Sequence, residues 1–418
     1  MTDYTTQQSG ASKSNPDRFT RWLQSKILTS IGSEKAQKKL WANSEKKRLK
    51  DNRGHVVYYF HQSQDGYSDL AVQTLKPLLE RYDIELIMHL VTAECGYNAP
   101  EPDLLEKYSY TDASLIAPCF GLQSPQSMSD EAVMAIQDSY GSAAQGSLSE
   151  RQDVGNQLRA RLGHYSGAMF YYEGEWYWGI DRLYHLENRL RLFGADKYPE
   201  QGFLYPRPEI IQDQAAKGPS LTLEFYASLR SPYTALAYDQ TVKFARKTGV
   251  NLIIKPVLPM VMRGVPATRQ KGMYIFKDAA REARAQDIPY GKFYDPIGEP
   301  VKKGYSLYHW AKTHDKGEQF LSAFLNAAFV EGINTNTNNG LKTVCKNVGL
   351  DWSDAISHLD EIEWTEVLES NRLDMYEFGL WGVPSYRLLD EAGNEVIKAW
   401  GQDRLWLIAK FISKIGYL

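Results

Sequence analysis

The stretch LTLEFYASLRSPYTALAYDQTVKFARKTGVNLIIKPVL, residues Leu221–Leu258, decides the fold. It opens on an apolar strand, Leu221–Ser228, and closes on a second, VNLIIKPVL. Between them the pattern predicts a helix. Ser231 stands at its N-cap, and Pro232 stands at the first helical position, where a missing N–H costs nothing. Gly249 ends it. Strand, helix and strand in about forty residues make a βαβ unit with a parallel pair.

Beyond this unit the chain reads as helical through QKGMYIFKDAAREARAQD, SLYHWAKTH, GEQFLSAFLNAAFVEG, NNGLKTVCKNVG and WTEVLESNRLDMYEFG. VPSYRLLD and NEVIKAW then read as a hairpin turning at Ala392–Gly393, and QDRLWLIAKFISKI as a closing amphipathic helix. The order βαβ, helices, ββα is that of a thioredoxin-type α/β fold with a helical subdomain inserted in its middle.

The first half repeats this frame more faintly. HVVYYF, YSDLAVQTLKPLLERY and IELIMHLVTA read as strand, helix, strand. A stretch broken by Pro and Gly follows, Ala99–Gly146, and reads as less helical than its counterpart. LSERQDVGNQLRARLG is a helix, and GAMFYYEGEWYWGIDRLYHLENRL matches the closing hairpin and helix. Aligning Tyr67 with Tyr233 pairs Leu70 with Leu236; aligning Gly179 with Gly401 pairs DRL with DRL. The expected organisation is a tandem duplication. Residues 1–54 form a disordered tail and basic amphipathic helix, 55–200 a degenerate copy, 201–220 a linker, and 221–418 the intact domain. The two copies are expected to pack as an internal pseudo-dimer, and a homo-oligomer is open.

Composition bounds the function. The 418 residues carry a formal charge of −3, with no basic excess to mark nucleic acid as partner. Three cysteines, Cys95, Cys119 and Cys345, form no C-x-x-C, which fits a reducing, cytoplasmic setting. His309 and His314 lack metal-ligand spacing, so no metal is expected. In the leader, Phe19, Trp22, Leu23, Ile27 and Ile31 recur at helical spacing. That stripe either packs on the body of the protein or meets an anionic membrane or partner; the first reading is preferred, as no anchor motif accompanies it.

FYASLRSPYTALAY, LIIKPVLP, KGMYIFKDAAREARAQDIPY, LNAAFVEGIN and FGLWGVPSYRLLDEAGNEVIKAWGQDRL resemble, in order, the 2-hydroxychromene-2-carboxylate isomerase family. These are DsbA-like thioredoxin-fold proteins, close to kappa-class glutathione transferases. The resemblance covers residues 221–418. It implies glutathione as cofactor, with Ser231 touching its sulfur. It implies that Val383, before a cis Pro384, pairs with the cysteinyl backbone, and that Gln402, Asp403 and Arg404 hold the γ-glutamyl end. Arg230, Tyr233, Lys271 and Tyr274 are candidates for the substrate side. One departure stands out: MVMRGVPATRQ replaces the family's usual K-A-T-G-N loop.

The residues support the same site. A free thiol is mostly protonated at neutral pH. A hydroxyl donor and a helix N-terminus both favour the thiolate, and Ser231 supplies both. A plain N-cap serine is the alternative reading of Ser231 alone. In the first half Asp65 replaces the serine, Gly66 the proline, and Met169 the cis-proline, so that copy is expected to be inert toward thiols. Asp181 and Arg182 survive there. The functional expectation is a glutathione-dependent isomerase or transferase acting on an electrophilic small molecule. A non-catalytic scaffold is the alternative, and a disulfide oxidoreductase the third and least favoured.

Overall fold

The structure is a computed structural model and describes residues 15–93, 96–141, 145–210, 221–265 and 267–415. The expected disordered tail up to residue 14, Cys95 and the second half of the expected linker lie outside them. The chain divides into two compact units, residues 1–36 with 210–418, and residues 37–209.

The chain opens with α1 (Arg18–Ile31) and α2 (Glu34–Lys50). The second unit then runs β1 (Val56–Gln62), α3 (Gly66–Ala71), α4 (Leu75–Arg81), β2 (Glu85–Val91), α5 (Pro102–Ile116), α6 (Asp130–Ser139), α7 (Leu148–Arg161), β3 (Met169–Tyr172), β4 (Glu175–Trp178) and α8 (Leu183–Leu192). The first unit continues with β5 (Thr222–Ala227), α9 (Pro232–Thr248), β6 (Asn251–Pro256), α10 (Arg269–Ala285), α11 (Glu299–Lys312), α12 (Gly317–Asn326), α13 (Asn338–Asn347), α14 (Trp352–Ala355), α15 (Trp364–Glu377), β7 (Ser385–Leu389), β8 (Glu395–Trp400) and α16 (Leu405–Ile415).

Each unit is built on a four-stranded sheet. The strand orders are β2-β1-β3-β4 and β6-β5-β7-β8. In both, the first pair is parallel and the other two are antiparallel. The two βαβ units, each followed by helices and a hairpin, thus carry the same topology. Parallel neighbours need a crossover, and α3–α4 and α9 supply it.

The local chemistry accounts for most elements. Ser231 caps α9, its Oγ accepting from Thr234 N at 3.1 Å, and Gly249 closes the helix at φ +74°. Asp390 organises the β7–β8 turn by accepting from Ala392 N and Asn394 N. Two expectations need correction. The single helix read over Tyr67–Tyr82 is two, α3 and α4, joined by a 3-10 turn at Val72–Thr74. Pro77 lacks the N–H that a continuous helix needs and crowds the carbonyl four residues back. The stretch read as less helical than its counterpart holds two α-helices, α5 and α6, against six from α10 to α15, and Pro102 starts α5 rather than breaking it.

The second correction concerns α1. Phe19, Trp22, Leu23 and Ile27 are not its packed face; they are 68%, 47%, 41% and 45% exposed. The helix docks instead through polar side chains. Arg21, 1% exposed, donates to the carbonyls of Asp295 and Ile297, both at 2.8 Å. Ser25 donates to Phe293 O, and Thr29 accepts from Phe293 N at 3.1 Å. The loop before α11 carries orphan carbonyls, and meeting them outweighs burying the stripe.

Beneath the second sheet Glu224, Lys255, Asp374 and Arg387 form a closed ion network, joined by the Tyr226 hydroxyl. Lys255 and Arg387 each reach Glu224 at 2.6 Å, and Arg387 reaches Asp374 at 3.0 Å. Two cations balance two carboxylates, which allows Glu224 to be buried and the other three to be half-buried between α15 and the strands.

Candidate active site

The loop after β5 brings Ser231 to the N-terminus of α9. Its own N–H donates to Ser228 O at 3.1 Å, and its backbone is extended, φ −84° and ψ 118°. The seventeen-residue helix directs its positive end at this hydroxyl. From the facing side comes the Val383–Pro384 peptide, which is cis. Ser231 Oγ donates to Val383 O across this gap at 3.3 Å. Gly401 N donates to Pro384 O at 3.0 Å, so the start of α16 is tied to the same loop. Gly382 is required here: a Cβ would stand 2.5 Å from Trp400 Nε1. Trp400 in turn lies against Trp381, ring centroids 5.0 Å apart. Residues 228–234, 381–384 and 400–404 therefore converge, although the first and last lie about 170 positions apart in the sequence.

The other expected site residues are placed as follows. Gln402 is buried and donates to Glu282 Oε2 on α10 at 2.9 Å. Arg404 is buried beside Asp403, donating to its carbonyl at 3.2 Å and standing 3.4 Å from its carboxylate. Asp403 itself is half-buried. Arg230 is clamped by both carboxylate oxygens of Asp295 at 2.9 Å each. The Tyr233 hydroxyl donates to Asp278 Oδ2 at 2.8 Å, and Arg281 holds the other oxygen at 2.6 Å. Lys271 and Tyr274 lie in the first two turns of α10, both half-buried. Burial of the Lys271 ammonium pulls its pKa from 10.5 down to about 8.

Asp295, Asp278 and Glu282 were not anticipated. They lie 65, 45 and 120 positions from their partners, and no local pattern marks them. The balance of charge follows from them. With Arg230 neutralised by Asp295, the field at Ser231 comes mainly from the α9 terminus. Cys345, the sole cysteine after residue 210, is buried in α13, where desolvation pushes its pKa up to about 11. Among the described residues no group of His, Cys, Asp and Glu is arranged to hold a metal ion.

A family model, the DSBA-like thioredoxin domain, matches residues 222–413. The C-terminal half is a DSBA-like thioredoxin domain. It is homologous to the 2-hydroxychromene-2-carboxylate isomerase of Sphingobium xenophagum, with 24% identity over 203 residues, 46% of this chain and 97% of the isomerase. Among solved structures, a selenomethionine form of 2-hydroxychromene-2-carboxylate isomerase is 20% identical with a TM-score of 0.39, covering 46% of this chain and 95% of that one. The cytosolic disulfide reductase DsbM of Pseudomonas aeruginosa with GSH is 14% identical, TM-score 0.34, covering 46% and 96%. In this domain the α9 start with Ser231 faces the loop of the cis Val383–Pro384 peptide.

The corresponding place in residues 37–209 is built differently. Asp65 caps α3, its Oδ2 accepting from Ser68 N at 3.0 Å and Ser68 Oγ at 2.7 Å. Gly66 N donates to Ser109 Oγ at 3.0 Å, and a Cβ on Gly66 would stand 2.6 Å from the backbone of Ser109 and Tyr110. Helix α5 therefore lies directly on this helix start. The hairpin register also shifts one assignment. Met169 pairs with Trp178 as Ser385 pairs with Trp400. Gly179 N donates to Ala168 O as Gly401 N does to Pro384 O. Ala168, at φ +52°, and not Met169, stands at the proline's place.

Proposed function

We propose that the DSBA-like domain binds glutathione with its sulfur at Ser231 and acts as an isomerase or transferase on an electrophilic, aromatic or unsaturated small molecule. The observation that carries this reading is the Ser231 hydroxyl, half-buried at the α9 N-cap and directed across to Val383 O. At 3.3 Å that bond is long for O–H···O. An anionic acceptor competes for the same proton with a bond roughly twice as strong. Bound there, glutathione would supply a thiolate nucleophile, giving isomerisation if the sulfur leaves again and conjugation if it stays.

The chain's own groups divide the remaining work. The N-terminus of α9 favours negative charge beside Ser231. The Val383 backbone, before Pro384, offers an edge to an extended peptide. Asp403, half-buried at the start of α16, is suited to an ammonium group. Lys271, with its lowered pKa, is suited to receive or deliver a proton near neutral pH. A disulfide oxidoreductase is disfavoured because a serine hydroxyl does not attack disulfides. Descent of both units from one duplicated domain, with the first copy silenced, belongs to the same proposal and is supported by their shared strand order.

Isothermal titration with glutathione tests the reading. Saturable binding that weakens in Ser231→Ala and in Asp403→Ala supports it. No saturable binding, or binding untouched by both substitutions together, overturns it and leaves a scaffold role.

A further inference from the structure

The exposed stripe of α1 is not absorbed by this function. Phe19, Trp22, Leu23 and Ile27 fall at i, i+3, i+4 and i+8, one helical face, and all four are more than 40% exposed. The Phe19 and Trp22 rings stand 6.0 Å apart and form one patch. Such a patch on an otherwise polar surface marks a contact site. The helix cannot roll to bury it, because Arg21, Ser25 and Thr29 fix the neighbouring face to Phe293, Asp295 and Ile297.

The surroundings of the stripe say what meets it. Lys26 lies within it and Arg18 at its edge, and both side chains are exposed. Within the same unit, residues 18–36 hold four Lys and Arg against one Glu, a local charge of +3 in a chain of net −3. Aromatic and aliphatic side chains flanked by Lys and Arg are the composition of a helix lying in a bilayer interface, apolar atoms among the acyl chains and cations among anionic headgroups. The chain's own preceding segment suits the stripe poorly, since Met1 and Tyr4 are the only large apolar residues in MTDYTTQQSGASKS. No described helix is long and apolar enough to cross a membrane, so any lipid contact through α1 is peripheral.

We infer that α1 docks the protein, reversibly, on an anionic lipid surface through Phe19, Trp22, Leu23 and Ile27 with Arg18 and Lys26. One helix with four apolar anchors gives weak attachment, so the binding depends on lipid charge and salt.

Co-sedimentation of the full chain with vesicles tests this, comparing pure phosphatidylcholine with phosphatidylcholine holding about one-third phosphatidylserine. The expected result is pelleting with the anionic vesicles, falling as salt is raised. Phe19→Ser with Trp22→Ser should lower the lipid-bound ratio by about tenfold or more, since each removes a large buried apolar group. Arg18→Glu with Lys26→Glu, which leaves the stripe whole, should abolish the preference for anionic lipid. The docking side chains Arg21, Ser25 and Thr29 are unchanged in every variant, and an unaltered thermal melt checks that α1 remains seated. Three results would overturn the inference. These are no pelleting with anionic vesicles, equal pelleting by the Phe19/Trp22 variant, or a dimer in sedimentation equilibrium that this variant dissociates, which assigns the stripe to a second copy.

Discussion

The starts of α3 and α9 sit at the same place in two sheets of the same strand order, and they are finished in opposite ways. At α9 the cap is a serine whose hydroxyl is half-exposed, the next residue is proline, and the facing loop contributes Val383. At α3 the cap is a buried aspartate, the next residue is glycine, and α5 fills the space a ligand would need. Ser109 takes the Gly66 N–H that a ligand would otherwise meet. The frame tolerates both solutions, because either cap satisfies the first turn. Only the α9 solution leaves a donor near the surface.

The unit that holds α3 also buries several ionisable groups. His61 and His164 are held near pKa 3 and His89 near 4, in each case chiefly by desolvation, while burial lifts Asp69 to about 6. The three histidines have folded pKa values below the unfolded value of 6.5, so their contribution is full above 6.5 and is lost as pH falls. Asp69 has a folded value above its unfolded 3.8 and works the other way, gaining as pH falls from about 6. The histidines prevail. For these four groups the net loss between pH 6.5 and 4.5 is roughly 5 kcal/mol, and the raised carboxyls of Asp65 and Glu187 offset part of it. Hydrogen exchange of the β1–β4 amides across that range checks it, and flat protection would break the contrast between the units.

The next effect in size is steric. Gly66→Ala drives a Cβ into the α5 backbone and should destabilise this unit by about 3 kcal/mol, read as an earlier denaturant transition. Pro232→Ala, at the equivalent place on the half-exposed α9 start, should cost under about 1 kcal/mol. Similar losses from both would show that the two helix starts are equally packed.

Ser231→Ala sharpens the open side. Loss of the cap should cost about 1 kcal/mol of stability. A bound thiol should in addition lose a charge-assisted hydrogen bond and titrate about one to two pH units higher, followed by ultraviolet thiolate absorbance. An unshifted thiol would reduce Ser231 to a cap. The smallest effect is expected for Asp65→Ser, which keeps a competent cap and should change stability by less than about 1 kcal/mol. It should gain no glutathione binding, because α5 still covers the site.

Much of this was legible in the sequence because it is local. Ser231 before Pro232, Gly249, the Asp390–Asn394 turn and the alternating strands are decided by neighbours within a few positions. The leader misled for a physical reason: a stripe of Phe19, Trp22, Leu23 and Ile27 fixes periodicity, not the direction it faces. Arg21, an unremarkable basic residue in the sequence, became the anchor because two carbonyls 274 and 276 positions away were waiting for donors.

The sequence by itself determined the order βαβ, helices, ββα, the caps that bound α9, and the candidate set from Ser231 to Asp403. The tertiary structure decided which of these groups remain available. It clamps Arg230 on Asp295, turns Gln402 to Glu282 and lays α5 over Gly66. Each of those outcomes depends on a partner 43 to 120 positions away, beyond the reach of any local pattern.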